Sequence, residues 1–185
     1  MRTRYYVAAS LDGFLATEDD SVAWLYTLGD DNRSTYPAFI AEIGAIVMGA
    51  ATYEWIHGHA EEAIAEVGAA WPYTQPTWVF THRALTPIAG ADVRFVSGDV
   101  GAVHAAIRAA VGDRDLWIAG GGELAAQFHD AGLLDEVIVS VASLTLGRGK
   151  PLFPRRLPTP WILEEVTMLG TGFAELRYRV PERAP

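Results

Sequence analysis

Residues 116–137 read LWIAGGGELAAQFHDAGLLDEV, and the rest of the chain makes most sense as a scaffold around them. Leu116-Trp117-Ile118-Ala119 has the length and composition of a buried strand. It stops at Gly120, Gly121 and Gly122, after which the apolar spacing becomes helical. Three residues without a Cβ, placed where a helix begins, let another backbone or a ligand come close. They also leave the free N–H groups of the first turn able to face an anion. Gly120, Gly122 and Ala125 satisfy G-x-G-x-x-A, with Asp135 and Glu136 downstream, the pattern of a dinucleotide site. Glycines at such a corner also serve packing alone. The pattern lies two-thirds along the chain rather than after a first strand, which points to a nucleotide fold other than a Rossmann unit.

Working outward, a second corner repeats the arrangement. Ala45-Ile46-Val47-Met48 reads as a compact strand ending at Gly49, and Ala50-Ala51-Thr52-Tyr53 begins a helix. Two such corners can present two helix N-termini to a pyrophosphate. Thr77-Trp78-Val79-Phe80-Thr81 is a further strand that delivers His82 and Arg83 where a parallel strand supplies ligand contacts. Arg83 has two readings, a ribose-phosphate partner or an exposed arginine. Residues 5–10 form a first strand and 11–16 a turn. Residues 18–24 make a polar, acidic loop ending at Trp24, either a lid or an anchored surface loop. A helix is expected over 36–43, strands over 93–96 and 136–141, a helix over 100–111, and two antiparallel strands over 161–166 and 172–180. Residues 60–70 fit a short amphipathic helix or an irregular excursion. Residues 147–151 fit a hairpin-like connection or a flap.

Composition narrows the function. The 185 residues are half hydrophobic and 20% charged, the profile of one globular domain, 1–185. A net charge of −9 disfavours nucleic acid and anionic membrane surfaces. No cysteine is present, so thiolate zinc sites and disulfides are excluded. His57-Gly58-His59 lacks a carboxylate at ligand spacing, and no metal is assigned. With neither an apolar leader nor a membrane-length run, a cytoplasmic location is expected.

Four segments, taken together, resemble the dihydrofolate reductase fold. They are ASLDGFLA (residues 9–16), VMGAATYE (47–54), IAGGGEL (118–124) and LTLGRGKPLF (144–153). The likeness is greatest to the branch containing the carboxy-terminal reductase domain of the bifunctional riboflavin-biosynthesis deaminase–reductase. It implies a three-layer α-β-α sandwich with a mostly parallel central sheet and antiparallel carboxy-terminal strands. It also implies an NADPH-dependent reductase acting on C=N or C=O of a small heterocyclic or ribosylated-pyrimidine-like substrate, and a homodimer.

Carried over by position, Ala9, Leu15 and Ala16 would hold the nicotinamide. Gly49, Ala50, Ala51 and Thr52 would form one phosphate site, and Gly120, Gly121, Gly122, Glu123 and Leu124 the other, with a cis peptide between Gly120 and Gly121. Thr81, His82 and Arg83 would lie beside the adenosine ribose. Trp24 and Tyr36 would line the substrate side, and Asp12, Asp30 and Asp31 are the candidate catalytic carboxylates. Two departures stand out. Ala50 replaces the basic residue usual after the second motif's glycine. Ser34, Thr35 and Tyr36 occupy the stretch where folate reductases carry an acid on their first helix. A pterin or folate reductase, and a catalytically silent nucleotide- or drug-binding protein, are the alternatives.

Overall fold

The computed structural model describes residues 1–28 and 34–182. Its centre is an eight-stranded sheet built from β1 (Thr3–Ala9), β3 (Ile43–Gly49), β4 (Thr77–Phe80), β5 (Val93–Val96), β6 (Asp115–Gly120), β7 (Glu136–Ala142), β9 (Ile162–Leu169) and β10 (Phe173–Arg179), in the order β5-β4-β3-β6-β1-β7-β10-β9. The first six neighbours run parallel; β10 is antiparallel to β7, and β9 to β10. The near-continuous apolar runs of β3 and β6 are those of strands covered on both faces. Alternate residues of β3 divide between two cores: Ala45 and Val47 on one face, Ile46 and Met48 on the other. The first core takes Val100 and Ile107 from α4 (Val100–Val111) and Leu124 and Phe128 from α5 (Gly122–Asp130). The second takes Phe39 from α1 (Tyr36–Glu42) and Tyr53 and Ile56 from α2 (Ala50–Gly58). The three-layer, mostly parallel architecture is therefore the one expected.

Several expectations are adjusted. The helix expected over 36–43 ends at Glu42, and Ile43 already belongs to β3, so no loop separates them. Residues 60–70 contain a helix, α3 (Ala60–Val67), stopped by Gly68 at φ 77°. The turn expected over 11–16 gives way to a short strand, β2 (Phe14–Ala16). It pairs antiparallel with β8 (Lys150–Pro151), so the basic glycine segment is docked onto the first loop. No described peptide bond is cis, Gly120–Gly121 included. The corner turns instead through Gly121, whose φ of 90° is open to glycine and costly for other residues. Among the described residues no helix is long and apolar enough to cross a membrane.

Candidate active site

Strand β6 pairs with both β1 and β3, and this insertion builds the site. β3 leads through α2 toward β4 on one side, whereas β6 leads through α5 to β7 on the other. Adjacent parallel strands whose connections depart in opposite directions leave a crevice at their carboxyl ends. The two glycine corners meet there. A Cβ built on Gly121 would come 4.0 Å from the backbone nitrogen of Gly49, while one on Gly49 would meet nothing within 4 Å. Gly49 and Gly121 are the N-caps, and neither helix start receives a side-chain cap. The N–H groups of both first turns are thus left for something else, and two positive dipole ends converge.

The three consecutive glycines have different reasons. A Cβ on Gly120 would lie 2.5 Å from Thr52 Oγ1, so Thr52 of one corner packs onto the other. A Cβ on Gly122 would overlap the carbonyls of Pro151 and Leu152. Only Gly121 is required by its backbone angle. Packing of the chain on itself therefore explains Gly120 and Gly122, a division that sequence cannot reveal. Glu123 faces Arg155 at 3.4 Å and Gln127 at the same distance, and Leu124 is buried in the core.

Arg83 is exposed and pairs with Glu54 of α2 at 2.6 Å, which tethers the loop after β4 to one of the two helices. Its backbone N–H donates to Thr81 Oγ1 at 2.9 Å; His82 between them is exposed. Asp12 is engaged on three sides. It accepts from Ser10 Oγ (2.6 Å) and from the N–H groups of Leu146 (3.1 Å) and Gly147 (2.7 Å). The Ser10 hydrogen bond above all, with the two backbone donors, holds this carboxyl below the usual range. Asp12 thus locks the first loop to the 144–147 loop, next to Ala9 and Ala16, both buried. Leu15 packs against the first core. Asp30 and Asp31 lie outside the described residues. In the acidic loop, Arg148 faces Glu18 at 3.8 Å and Lys150 faces Asp20 at 3.4 Å, so that loop and the β8 segment are joined by charge as well as by pairing. Trp24 is buried, and its indole N–H has no partner among the described residues.

On the α1/α2 face the carboxyl end of the sheet is only partly covered, with Phe39 stacked on the Tyr6 ring at 4.4 Å. Tyr6 and Ala8 of β1 and Ala119 of β6 are partly exposed although both strands are interior. Tyr36 stands beside this opening, its ring 5.8 Å from that of Trp117 and 6.3 Å from that of Tyr6. Burial, then the neighbouring Tyr6, pushes its phenol up to about 12, so it is a hydrogen-bond donor throughout the physiological range. A carboxylate that sequence reasoning missed lies at the same place. Glu175 of β10 is 3% exposed, and its Oε2 accepts from Thr35 Oγ1 at 2.6 Å and Ser140 Oγ at 3.3 Å. No local signal marks it, because its partner Thr35 is 140 residues away.

The chain's likeness to known proteins agrees with this architecture. The family model for the RibD C-terminal domain matches residues 65–174. The uncharacterized protein YwjB of Bacillus subtilis is 33% identical over 155 residues, 82% of each chain. A Shewanella sp. PV-4 structure, named provisionally for riboflavin biosynthesis, superposes with a TM-score of 0.77 at 23% identity, covering 98% of this chain and 100% of that one. A pyrimidine reductase-like protein of Corynebacterium diphtheriae gives 0.70 at 15% identity over 98% and 92% of the two chains. The Thermotoga maritima diaminohydroxyphosphoribosylaminopyrimidine deaminase/5-amino-6-(5-phosphoribosylamino)uracil reductase gives 0.65 at 13% identity, with 96% of this chain on 56% of that one. The structural likenesses speak to fold; the matched residues and the Bacillus relative make the chain a member of the RibD C-terminal domain family.

Proposed function

We propose that the chain is a cytoplasmic NADPH-dependent reductase of a small heterocyclic or ribosylated-pyrimidine-like substrate. The observation that carries this reading is the pair of uncapped helix starts at Gly49 and Gly121, facing one crevice at the carboxyl ends of adjacent strands. An acidic chain with two such starts and unhindered space at Gly49 fits a pyrophosphate. The N–H groups of residues 50–52 and 122–124 would hold the phosphates, and Arg83 would turn from Glu54 to the 2′-phosphate. The backbone around Ala9, Leu15 and Ala16, fixed by Asp12, would orient the nicotinamide. When bound, the cofactor supplies the hydride. The protein's part is to position two planar groups against each other and to exclude water with the 18–24 loop docked on β8. The family names of the Corynebacterium and Thermotoga proteins favour a pyrimidine as substrate.

Asp12 is better suited to positioning than to giving a proton, since its environment favours the ionised form. Exposed Leu163, Val166 and Met168 on the edge strand β9 fit a homodimer contact. The test is the absorbance of the reduced nicotinamide when purified protein and NADPH meet ribosylated aminopyrimidines, pterins or dihydrofolate. Oxidation with the first group alone supports the reading; oxidation with dihydrofolate alone would replace it by a folate reductase.

A further inference from the structure

Two buried glutamates lie on the same face of neighbouring strands and are treated differently. Glu136 of β7 is 6% exposed and meets two cations, the guanidinium of Arg4 and, at 3.6 Å, Arg177. Glu175 of β10 is 3% exposed, and among the described residues only hydroxyls reach it. A buried carboxylate whose described partners are all neutral is expensive to keep unless it has a use. Its hydrogen-bond chain has one consistent direction. Thr35 and Ser140 donate to Oε2, and with the Thr35 proton so used the Tyr6 phenol donates to Thr35 at 3.0 Å. Burial, the largest influence, raises the Tyr6 phenol above its ordinary range and keeps it a donor. Both of these carboxylate bonds fall on Oε2 and the Tyr6 phenol also comes within reach of the carboxylate, yet a carboxylate offers about four lone-pair sites, so acceptor capacity remains.

Glu175 is in register with Ser140, and Ser140 with Ala8, one residue before β1 ends. This row lies at the carboxyl edge, on the face where Tyr6, Ala8 and Ala119 are partly exposed and Tyr36 forms a wall. The glycine corners lie on the other side of β1, Gly121 at the end of β6 and Gly49 at the end of β3 beyond it. A cofactor held by those corners and reaching Ala9 would leave the space over β1 and β7 for a second, planar molecule.

We propose that Glu175, aimed by Thr35 and Ser140, is the recognition group of the substrate side. It accepts hydrogen bonds from ring or exocyclic N–H groups of a nitrogen heterocycle lying over Ala8, beside the Tyr6 ring that Phe39 already covers. The inference rests on reading the opening as a reductase's substrate site, and it adds the ligand's chemistry: an N–H donor edge rather than a carbonyl or phosphate edge. A carboxylate rejects acceptor edges and selects donors, and a charge-assisted bond of this kind discriminates by about 10- to 100-fold.

The probe is 2,4-diaminopyrimidine, with 2,4-dimethoxypyrimidine as a counterpart of similar shape that lacks the N–H groups. Each is titrated into the full chain without cofactor and followed by tryptophan fluorescence, since Trp117 packs on Tyr36. The wild type should prefer the diamine by at least about tenfold. Glu175→Gln should erase that preference while leaving NADPH titration unchanged. Thr35→Val, which frees Oε2 of one donor, should weaken the preference, and it serves if Glu175→Gln does not fold by circular dichroism. Equal affinity of the wild type for the two pyrimidines, or a preference that survives both substitutions, overturns the inference. Because the pyrimidine and nucleotide titrations are separate, loss of NADPH binding alone would strike the proposed function without touching the pyrimidine result.

Discussion

The two ends of the parallel strands differ in how their polar groups are satisfied. At the amino end, Arg4 is 2% exposed and ringed by Glu136, Glu42 at 2.5 Å and Asp115 at 3.5 Å. Arg4 also stacks on the Phe39 ring at 4.7 Å. Arg2 joins through Asp115 at 2.8 Å. The charges named there are paired with one another. At the carboxyl end the helix starts are uncapped, and Glu175 has hydroxyls but no cation among the described residues. The difference teaches where to look for function: groups closed on one another fix the fold, whereas donors and acceptors left half-satisfied at one edge await a ligand.

Breaking the closed end should cost stability and nothing else. Arg4→Met leaves Glu136 with Arg177 alone and Asp115 with Arg2 alone, and is expected to lower the unfolding free energy by about 1–3 kcal/mol in urea melts, while nucleotide affinity in the folded protein stays unchanged. A parallel fall in affinity would show that the two ends are coupled. The largest effect at the open end is expected of Gly121→Val. A β-branched residue at φ 90° carries about 1–3 kcal/mol of strain and places a side chain beside Gly49, so binding of both NADPH and NADH should vanish in calorimetry. Retained binding would return this glycine to a packing role.

Arg83→Ala should weaken NADPH by about 1.5–3 kcal/mol and NADH hardly at all. Glu54→Gln, which releases Arg83, should shift the same preference modestly the other way. Equal losses for the two cofactors would remove Arg83 from the 2′-phosphate. The smallest effect concerns Asp12. Its carboxyl is depressed in the folded chain, so the lock between the 10–14 and 144–147 segments is complete above the ordinary carboxylate value of 3.8 and is lost as pH falls through the lower folded value. Asp12→Asn should remove that acid-side dependence and speed proteolysis within the 144–151 segment. An unchanged cleavage rate would show that β2–β8 pairing alone holds it.

Much of this was legible from local chemistry. β3 and β6 are apolar runs cut by glycine, and both helices after them begin where the pattern changes. The sequence could not show that β6 inserts between β3 and β1, the step that brings Gly49 and Gly121 together, because strand order is decided by long-range packing. Nor could it separate the three glycines, whose reasons are Thr52, a positive φ and the Pro151–Leu152 carbonyls. Residues 34–36 carry no carboxylate where folate reductases place one on the first helix. A buried carboxylate reaches the same place from β10 only after the sheet has formed, when Glu175 meets Thr35.

The two converging helix starts are the proposed dinucleotide site. The most direct measurement is titration of the purified wild-type chain with NADPH and NADH, followed through its six tryptophans. Saturable micromolar binding with NADPH preferred is the predicted result. No saturable signal with either nucleotide, confirmed by calorimetry, would contradict it.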